Sequence, residues 1–512
     1  MNTIVATPLP ASPAYVDPLP AHAPPARAAS VDLDQPPPAH LAQLLARQRA
    51  AYLAQPYPDA AQRKDKLRRL LKALRQHQDA LCDALSADFG IRSVAESKIG
   101  DLLTVATAIR HTIGQLDKWM KPRRRSAELL FAVNSAWVEY QPKGVVGIIA
   151  PWNFPVYLSL GPLVASLAAG NRALIKMSEF SPHTTRALRT MLADAFEPDE
   201  VCVLGGDVEV GRAFSALPFD HLIFTGSTVV GRHVMRAAAE NLVPVTLELG
   251  GKSPAIVSRS ASVAEAAARI AHGKGFNCGQ ICVAPDYALV PRERLDSFVE
   301  AVKMHFRRMY PATSVRDADY SNVVTPAHAE RLHRMLADAR AKGGRVIACE
   351  EGAHGQRLPL HLVLDASDDM AVCREEIFGP ILPVIAYDDV EQVIAYVNER
   401  PRPLALYWFG ANKAESEALR RRTHAGGMTI NDWGWHVFQN DLPFGGIGAS
   451  GSGSYHGIEG FHALSHGKSI FRERPWFPIR LLHPPYGNLA QRWALKLYLG
   501  TQKGRTDVNT HK

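Results

Sequence analysis

Val145-Val146-Gly147-Ile148-Ile149-Ala150 is an uninterrupted apolar run between Gly144 and Pro151, and Trp152 and Asn153 follow directly. A run without polar alternation, closed by turn formers, describes a strand buried on both faces, as inside a parallel sheet. Downstream the pattern repeats with helical stretches between: 172–177 reads as strand, 182–196 as helix, 221–224 as strand, 230–241 as helix and 244–247 as strand. Such alternation predicts parallel βαβ units in an open α/β sheet. A second alternating block runs from Pro254 to about Val437, with 287–290, 346–348, 360–363, 381–385 and 404–409 as its strands.

Upstream, residues 41–119 carry helical periodicity with interleaved charge, as in Lys64-Asp65-Lys66-Leu67-Arg68-Arg69-Leu70-Leu71, and predict long amphipathic helices. The basic cluster Lys121, Arg123, Arg124 and Arg125 reads as a solvated surface turn, with phosphate binding as the sharper alternative. Residues 129–140 are rich in β-branched and aromatic side chains. Residues 1–40 hold ten prolines and nine alanines without apolar periodicity, so a disordered leader is expected there.

The chain has 512 residues, 46% hydrophobic and 21% charged, which excludes a small scaffold and fits two or three domains with large cores. Six scattered cysteines, none in a C-x-x-C pair, exclude a disulfide framework and suggest a reducing, cytoplasmic setting. No run has the length of a membrane span, and no secretory signal pattern opens the chain. The net charge of +8 is concentrated after Ile470, where eight basic residues face two acidic ones, which argues against a nucleic-acid partner. Within that tail, 489–499 has the spacing of an amphipathic helix with a basic edge. It is suited to docking on the protein's own body or, more sharply, to weak contact with anionic lipid.

Three stretches carry chemistry. Phe224-Thr225-Gly226-Ser227-Thr228-Val229-Val230-Gly231 sets two glycines between a strand and a helix, where free N–H groups favour a phosphate. A triphosphate loop would need Lys and Ser/Thr after Gly231, but Arg232 and His233 stand there, so a dinucleotide pyrophosphate remains, beside plain tight turns. Cys282, in Gly275-Phe276-Asn277-Cys278-Gly279-Gln280-Ile281-Cys282, lies on a polar loop suited to a thiolate nucleophile, and spacing alone does not choose between it and Cys278. Glu248, framed by Leu247, Leu249 and Gly250-Gly251, sits where desolvation raises a carboxylate toward a useful general base. No metal-ligand spacing stands out.

Together with Pro151-Trp152-Asn153-Phe154-Pro155, Lys176-Met177-Ser178-Glu179, Glu375-Glu376-Ile377-Phe378-Gly379-Pro380 and Pro443-Phe444-Gly445-Gly446, these stretches resemble the aldehyde dehydrogenase superfamily from about Leu41 to Ile470. The resemblance implies that Cys282 is the nucleophile, that Asn153 and the Cys282 N–H hold the oxyanion, and that Glu248 activates the hydrolytic water. It also implies cofactor contacts from Trp152, Lys176, Glu179, Gly226, Ser227, Gly231, Leu249, Glu376 and Phe378. NAD is the expected cofactor and NADP the alternative, since Glu179 would repel a 2′-phosphate.

The segments 283–287 and 448–457 resemble the class 3 branch, including coniferyl aldehyde dehydrogenases. This implies oxidation of coniferaldehyde to ferulate, with a fatty or other hydrophobic aldehyde as alternative. A silent binding protein on the same fold is disfavoured by the intact set Asn153, Glu248, Cys282, Lys176, Glu179 and Glu376. Trp433-Gly434-Trp435 is an unusual concentration of bulk before Pro443, and Trp433, Trp435 and Phe154 are expected to line an aromatic pocket. The implied architecture is a Rossmann-type cofactor domain (41–250, with arm strands at about 127–143), an α/β catalytic domain (251–451), and a β oligomerisation arm with a basic tail (452–512). A homodimer is expected.

Overall fold

The computed structural model describes residues 32–311, 317–352 and 355–500. The run 145–150 is, as expected, the strand Val145–Ile149 at the middle of a six-stranded sheet. The order across that sheet is Gly451–Ser452, Val245–Glu248, His221–Thr225, Val145–Ile149, Arg172–Lys176, Val201–Leu204. All neighbours are parallel except the short strand Gly451–Ser452. The chain starts centrally, builds outward to Val201–Leu204, then returns to build the other side. That reversal leaves a crevice at the C-terminal ends of Val145–Ile149 and His221–Thr225, the usual place for a ligand in an open α/β sheet.

The second block forms a seven-stranded sheet in the order Arg345–Ala348, His361–Leu364, Ile381–Tyr387, Tyr287–Pro291, Pro254–Val257, Ala405–Phe409, Gly427–Ile430, parallel except for the first pair. Strands Val201–Leu204, Pro254–Val257, Gly427–Ile430 and Gly451–Ser452 are additional to the expected set; none exceeds four residues, too few to stand out from the flanking sequence. The helix Pro155–Ala169 is buried at every position, so its sequence is apolar on all sides.

A three-stranded antiparallel arm combines Arg123–Arg125, Ser135–Pro142 and Ser465–Arg472. The basic cluster is therefore an edge strand rather than a surface turn: Arg123 to Arg125 pair with Val138 to Ala136, and the Arg123 guanidinium lies over the Tyr140 ring. Charged edges of this kind resist strand addition.

Described structure also extends to the N-terminal side of the expected boundary at residue 40. Leu33 accepts a hydrogen bond from the Gly205 N–H at 2.8 Å, Asp34 pairs with Arg189 at 2.7 Å, and a helix starts at Pro38, where Pro suits the first turn. The rest of the expected leader, residues 1–31, lies outside the described residues, as do tail residues 501–512. The amphipathic tail helix is present as Leu489–Leu499; it buries Gln491 and Ala494 and exposes Trp493, Leu495 and Leu499. Among the described residues no helix is long and apolar enough to cross a membrane.

Candidate active site

Three loops leave the C-terminal ends of adjacent strands and meet at the crevice: Pro151–Asn153 after Val145–Ile149, Gly226–Ser227 after His221–Thr225, and Leu249–Gly250 after Val245–Glu248. With Cys282, His328, Arg331, Glu376 and Phe378 from the other side, they enclose a cleft of about 800 Å³. Ser227 caps the helix Thr228–Ala239 by accepting from the Val230 N–H, so the positive end of that helix faces the cleft.

Cys282 owes its position to a backbone reversal just before it. Asn277, Cys278 and Gly279 have φ of 48°, 53° and 70°, three consecutive left-handed residues that lift the following turn toward the crevice. A Cβ on Gly279 would lie 2.6 Å from the Gly379 oxygen, so glycine is required there. Gln280 locks the turn from below: its amide donates to the Asn277 and Asn322 carbonyls at 2.9 Å, and its Oε1 accepts from the Val324 N–H. Burial separates the two cysteines. Cys278 has no exposure and its sulfur contacts the Tyr320 hydroxyl at 3.4 Å, whereas Cys282 opens on the cleft. Burial, then the carboxyls of Glu376 and Glu248, push the Cys282 thiol up to about 12, while its own N–H and that of Val283 oppose the rise.

Asn153 is held by its own backbone. Its carbonyl accepts from Arg92 Nη1 at 2.9 Å and from Asn277 Nδ2 at 3.1 Å, and its side-chain amide donates to the Gln280 oxygen at 3.1 Å. Arg92 is paired at 2.9 Å with Asp101, neither having any exposed side chain, and lies between the Phe89 and Phe154 rings. Asp101 in turn accepts from the Tyr157 N–H at 2.8 Å, capping the helix Pro155–Ala169, whose own N-cap residue Phe154 offers no side-chain acceptor. One buried ion pair thus fixes both Asn153 and the helix that follows it.

Glu248 ends its strand with 3% exposure, and neither carboxylate oxygen has a hydrogen-bond partner among the described residues. Desolvation alone raises its carboxyl well above the ordinary range. Glu376 is raised to about 7, chiefly by burial, against the opposing Gly251 N–H. Its segment is anchored from beneath: Asp286 accepts from the Ile377 N–H at 2.9 Å, and Lys252 joins Asp286 to the Val372 and Glu375 carbonyls. Phe378, at φ 49°, turns edge-on to Trp152 with centroids 5.4 Å apart.

A second cavity, of about 510 Å³, meets the first at Cys282 and Leu158. Phe154, Phe276, Trp433 and Phe438 dominate its wall, which is carbon almost throughout. A cleft that carries Asn153, Glu248, Arg331 and Glu376 and a second, almost wholly apolar cavity, the tunnel, therefore meet at one thiol.

The crevice brings together Asn153, Glu248, Cys282, Trp152, Gly226, Ser227, Leu249, Glu376 and Phe378. Lys176 and Glu179 lie at the end of the neighbouring strand, 3.8 Å apart, with Lys176 Nζ also donating to the Gly206 oxygen. Gly231 sits in the helix behind, where a Cβ would meet the Leu249 side chain at 2.7 Å. Trp433 and Phe154 line the tunnel as expected; Trp435 does not, and packs against Trp433 and Phe438 from outside, 39% exposed. Sequence reasoning missed His328 and Arg331 at the cleft, and the pair Tyr157 and His456 behind it, bonded at 2.8 Å. The signal for Tyr157 was its place two residues after Pro155; His328 and Arg331 lie on a helix whose sequence shows only ordinary amphipathicity.

The family model described as "Aldehyde dehydrogenase family" matches residues 33–470. A protein of Pseudomonas aeruginosa named "Probable coniferyl aldehyde dehydrogenase" is 51% identical over 456 residues, covering 89% of this chain and 96% of its own. The solved substrate-bound state of Staphylococcus aureus AldH superposes with a TM-score of 0.84 at 34% identity, over 89% of this chain and 99% of that one. A Mycobacterium tuberculosis aldehyde dehydrogenase solved with NAD+ superposes with a TM-score of 0.78 at 28% identity, over 85% and 90% of the two chains.

Proposed function

The chain belongs to the aldehyde dehydrogenase family, and from that premise we propose that it oxidises coniferaldehyde to ferulate with NAD, Cys282 being the nucleophile. The observation that carries the reading is the position of Cys282 at the junction of the cleft and the apolar tunnel. The name of the Pseudomonas aeruginosa relative supports the substrate, and the NAD+ held by the Mycobacterium tuberculosis enzyme supports the cofactor.

The residues fit a dinucleotide. Gly226 leaves room that a Cβ would take from the Phe224 ring, 2.5 Å away, and the capped helix end beside it suits a pyrophosphate. Trp152, Leu249, Phe378 and Glu376 would hold the nicotinamide end, and Lys176 with Glu179 the adenosine ribose. NAD, when bound, supplies a two-electron acceptor for the aldehyde hydride.

The chain's own groups do the rest. The Cys282 thiol loses its proton to solvent, the resulting thiolate adds to the carbonyl carbon, and the C=O π electrons move onto oxygen. Asn153 Nδ2 carries two hydrogens; one is engaged by Gln280, and the second with the Cys282 N–H holds the oxyanion. Departure of the hydride restores the C=O bond and leaves an acyl thioester. The ionised Glu248 takes a proton from water, hydroxide adds to the thioester carbon, and the C–S bond breaks to release acid and thiolate. NADH formation with coniferaldehyde, with ferulate identified by chromatography, tests the assignment; full activity in Cys282→Ala would overturn it.

Six free cysteines support a reducing, cytoplasmic location. The unpaired outer edge of Ser465–Arg472 supports a homodimer formed through the arm. The exposed Trp493, Leu495 and Leu499 beside Arg492 and Lys496 support weak contact of the tail helix with an anionic bilayer.

A further inference from the structure

The bulk at Trp433-Gly434-Trp435 is placed with precision. Trp433 is 5% exposed, and its indole N–H donates to His272 Nδ1 at 3.0 Å. Burial keeps His272 below its ordinary value, so the ring is a neutral acceptor with its proton on Nε2. The indole rests on Gly273, where a Cβ would stand 2.8 Å from its Cδ2 and 2.8 Å from Pro285 Cδ; any other residue at 273 would force the ring or Pro285 to shift. From the other side Asp432, paired with Arg269 at 3.1 Å, accepts from the Trp433 backbone N–H.

The tunnel is consequently faced by flat surfaces. Phe154 and Phe276 lie 15° from parallel with centroids 6.2 Å apart, and the Trp433 ring is tilted 54° to Phe276 with centroids 6.2 Å apart. The two side-chain polar groups on this wall other than the Cys282 thiol are already committed: the Tyr157 hydroxyl to His456 Nε2, and the Trp433 N–H to His272. A hydroxyl buried here would lose water and gain no partner, which costs free energy. An oxygen substituent on a bound ring must therefore point to the solvent end, where it adds little discrimination.

We propose that Trp433, clamped by His272 over Gly273, is the specificity-determining wall of the aldehyde tunnel, selecting flat conjugated aryl aldehydes over aliphatic chains without reading the ring's oxygen substituents. This rests on the assignment of Cys282 and the tunnel made above. His272 is a positioning residue, acting through Trp433.

The test is kcat/KM for cinnamaldehyde, coniferaldehyde and hexanal at saturating NAD, in the full chain and in Trp433→Leu, Trp433→Phe and His272→Leu. The wild-type protein should take cinnamaldehyde within about threefold of coniferaldehyde, and both about tenfold better than hexanal. Trp433→Leu should cost the two aryl substrates about tenfold, mainly through KM, and leave hexanal within about threefold. Trp433→Phe should keep most of the preference, and His272→Leu should lose part of it. Equal losses on all three substrates, or none, would overturn the proposal, as would a wild-type preference for coniferaldehyde over cinnamaldehyde of about a hundredfold. That wild-type ratio stands even if a variant does not fold. If no aldehyde is oxidised, the proposed function falls with it; if aldehydes are oxidised at ratios that Trp433→Leu leaves alone, only this proposal falls.

Discussion

Glu376 occupies the space that a side chain on residue 250 would need: both of its carboxylate oxygens lie 2.2 Å from the position of a Cβ on Gly250. Two segments more than a hundred residues apart in sequence thereby meet at this point, and a side chain on residue 250 would require the Glu376 carboxylate to move. Gly250→Ala is expected to displace Glu376 and raise KM for NAD about tenfold or more, with a smaller effect on KM for aldehyde. Steady-state kinetics with each substrate varied in turn checks this; equal KM values in both proteins would refute it.

Cys282 and Cys278 are expected to behave oppositely. Cys282→Ala should abolish oxidation, while Cys278→Ala, which removes a fully buried sulfur, should keep kcat and lose stability by about 1–2 kcal/mol. Because the Cys282 thiol is pushed up to about 12, its alkylation by iodoacetamide in the protein without NAD should still be accelerating at pH 9. A rate that levels off near neutral pH would contradict the assigned environment. Mass spectrometry of the labelled peptide identifies which cysteine reacts.

Glu248 must be ionised to act as a base, and its raised carboxyl delays ionisation. Activity should fall on the acid side at a pH well above the ordinary carboxylate range, and Glu248→Gln should lower kcat about 10²-fold or more. The stability effect has the opposite sign. A carboxyl raised in the folded state is neutral there at pH values where the unfolded chain has already ionised, so its contribution is complete below the unfolded value and is lost as pH rises through the folded one. Glu248→Gln should therefore raise the unfolding temperature, with a gain larger at pH 8 than at pH 5. Calorimetry at the two pH values decides it.

Arg92→Met removes the guanidinium that holds the Asn153 carbonyl and leaves Asp101 buried without its ion-pair partner. Breaking such a pair from one side costs about 3–5 kcal/mol. Urea denaturation should show that loss, and kcat should fall because Asn153 is no longer fixed. Arg92→Met/Asp101→Asn should recover part of the stability, since the stranded charge is gone. Equal stability of the single and double variants would count against this account.

For the tail helix, the full chain should co-sediment with vesicles containing phosphatidylserine and release them at high salt, whereas a chain ending at His483 should not pellet. Pelleting of neither chain would remove the lipid contact.

Much of this protein was legible one segment at a time. The apolar runs that become central strands are buried on both faces, and burial on both faces leaves no alternation to misread. That is why 145–149 and 221–224 stand out in the sequence, whereas Arg123–Arg125, an edge strand of three arginines, carries the signature of a surface turn. Residues 33–40 fall within the expected leader because the order of 33–37 comes from contacts with Gly205 and Arg189, far away in sequence, and only the first turn of the helix from Pro38 lies before residue 41. At the site, Glu248 and Cys282 stand out from their glycine-containing frames, while the choice of Cys282 over Cys278 and the role of Asn153 are what the family resemblance implies. His328 and Arg331 had no such frame.

The sequence by itself determined the alternation of strands and helices, the open α/β plan and the chemical groups available, because periodicity and turn chemistry are local properties of the chain. Only the tertiary structure decided which cysteine faces the cleft, that Glu248 stands desolvated without a partner, that Trp435 stays outside while Trp433 walls the tunnel, and that Gly250 makes room for Glu376. Each of these is a matter of burial and close approach between segments that are distant in sequence. Those quantities exist only once the two sheets have packed together.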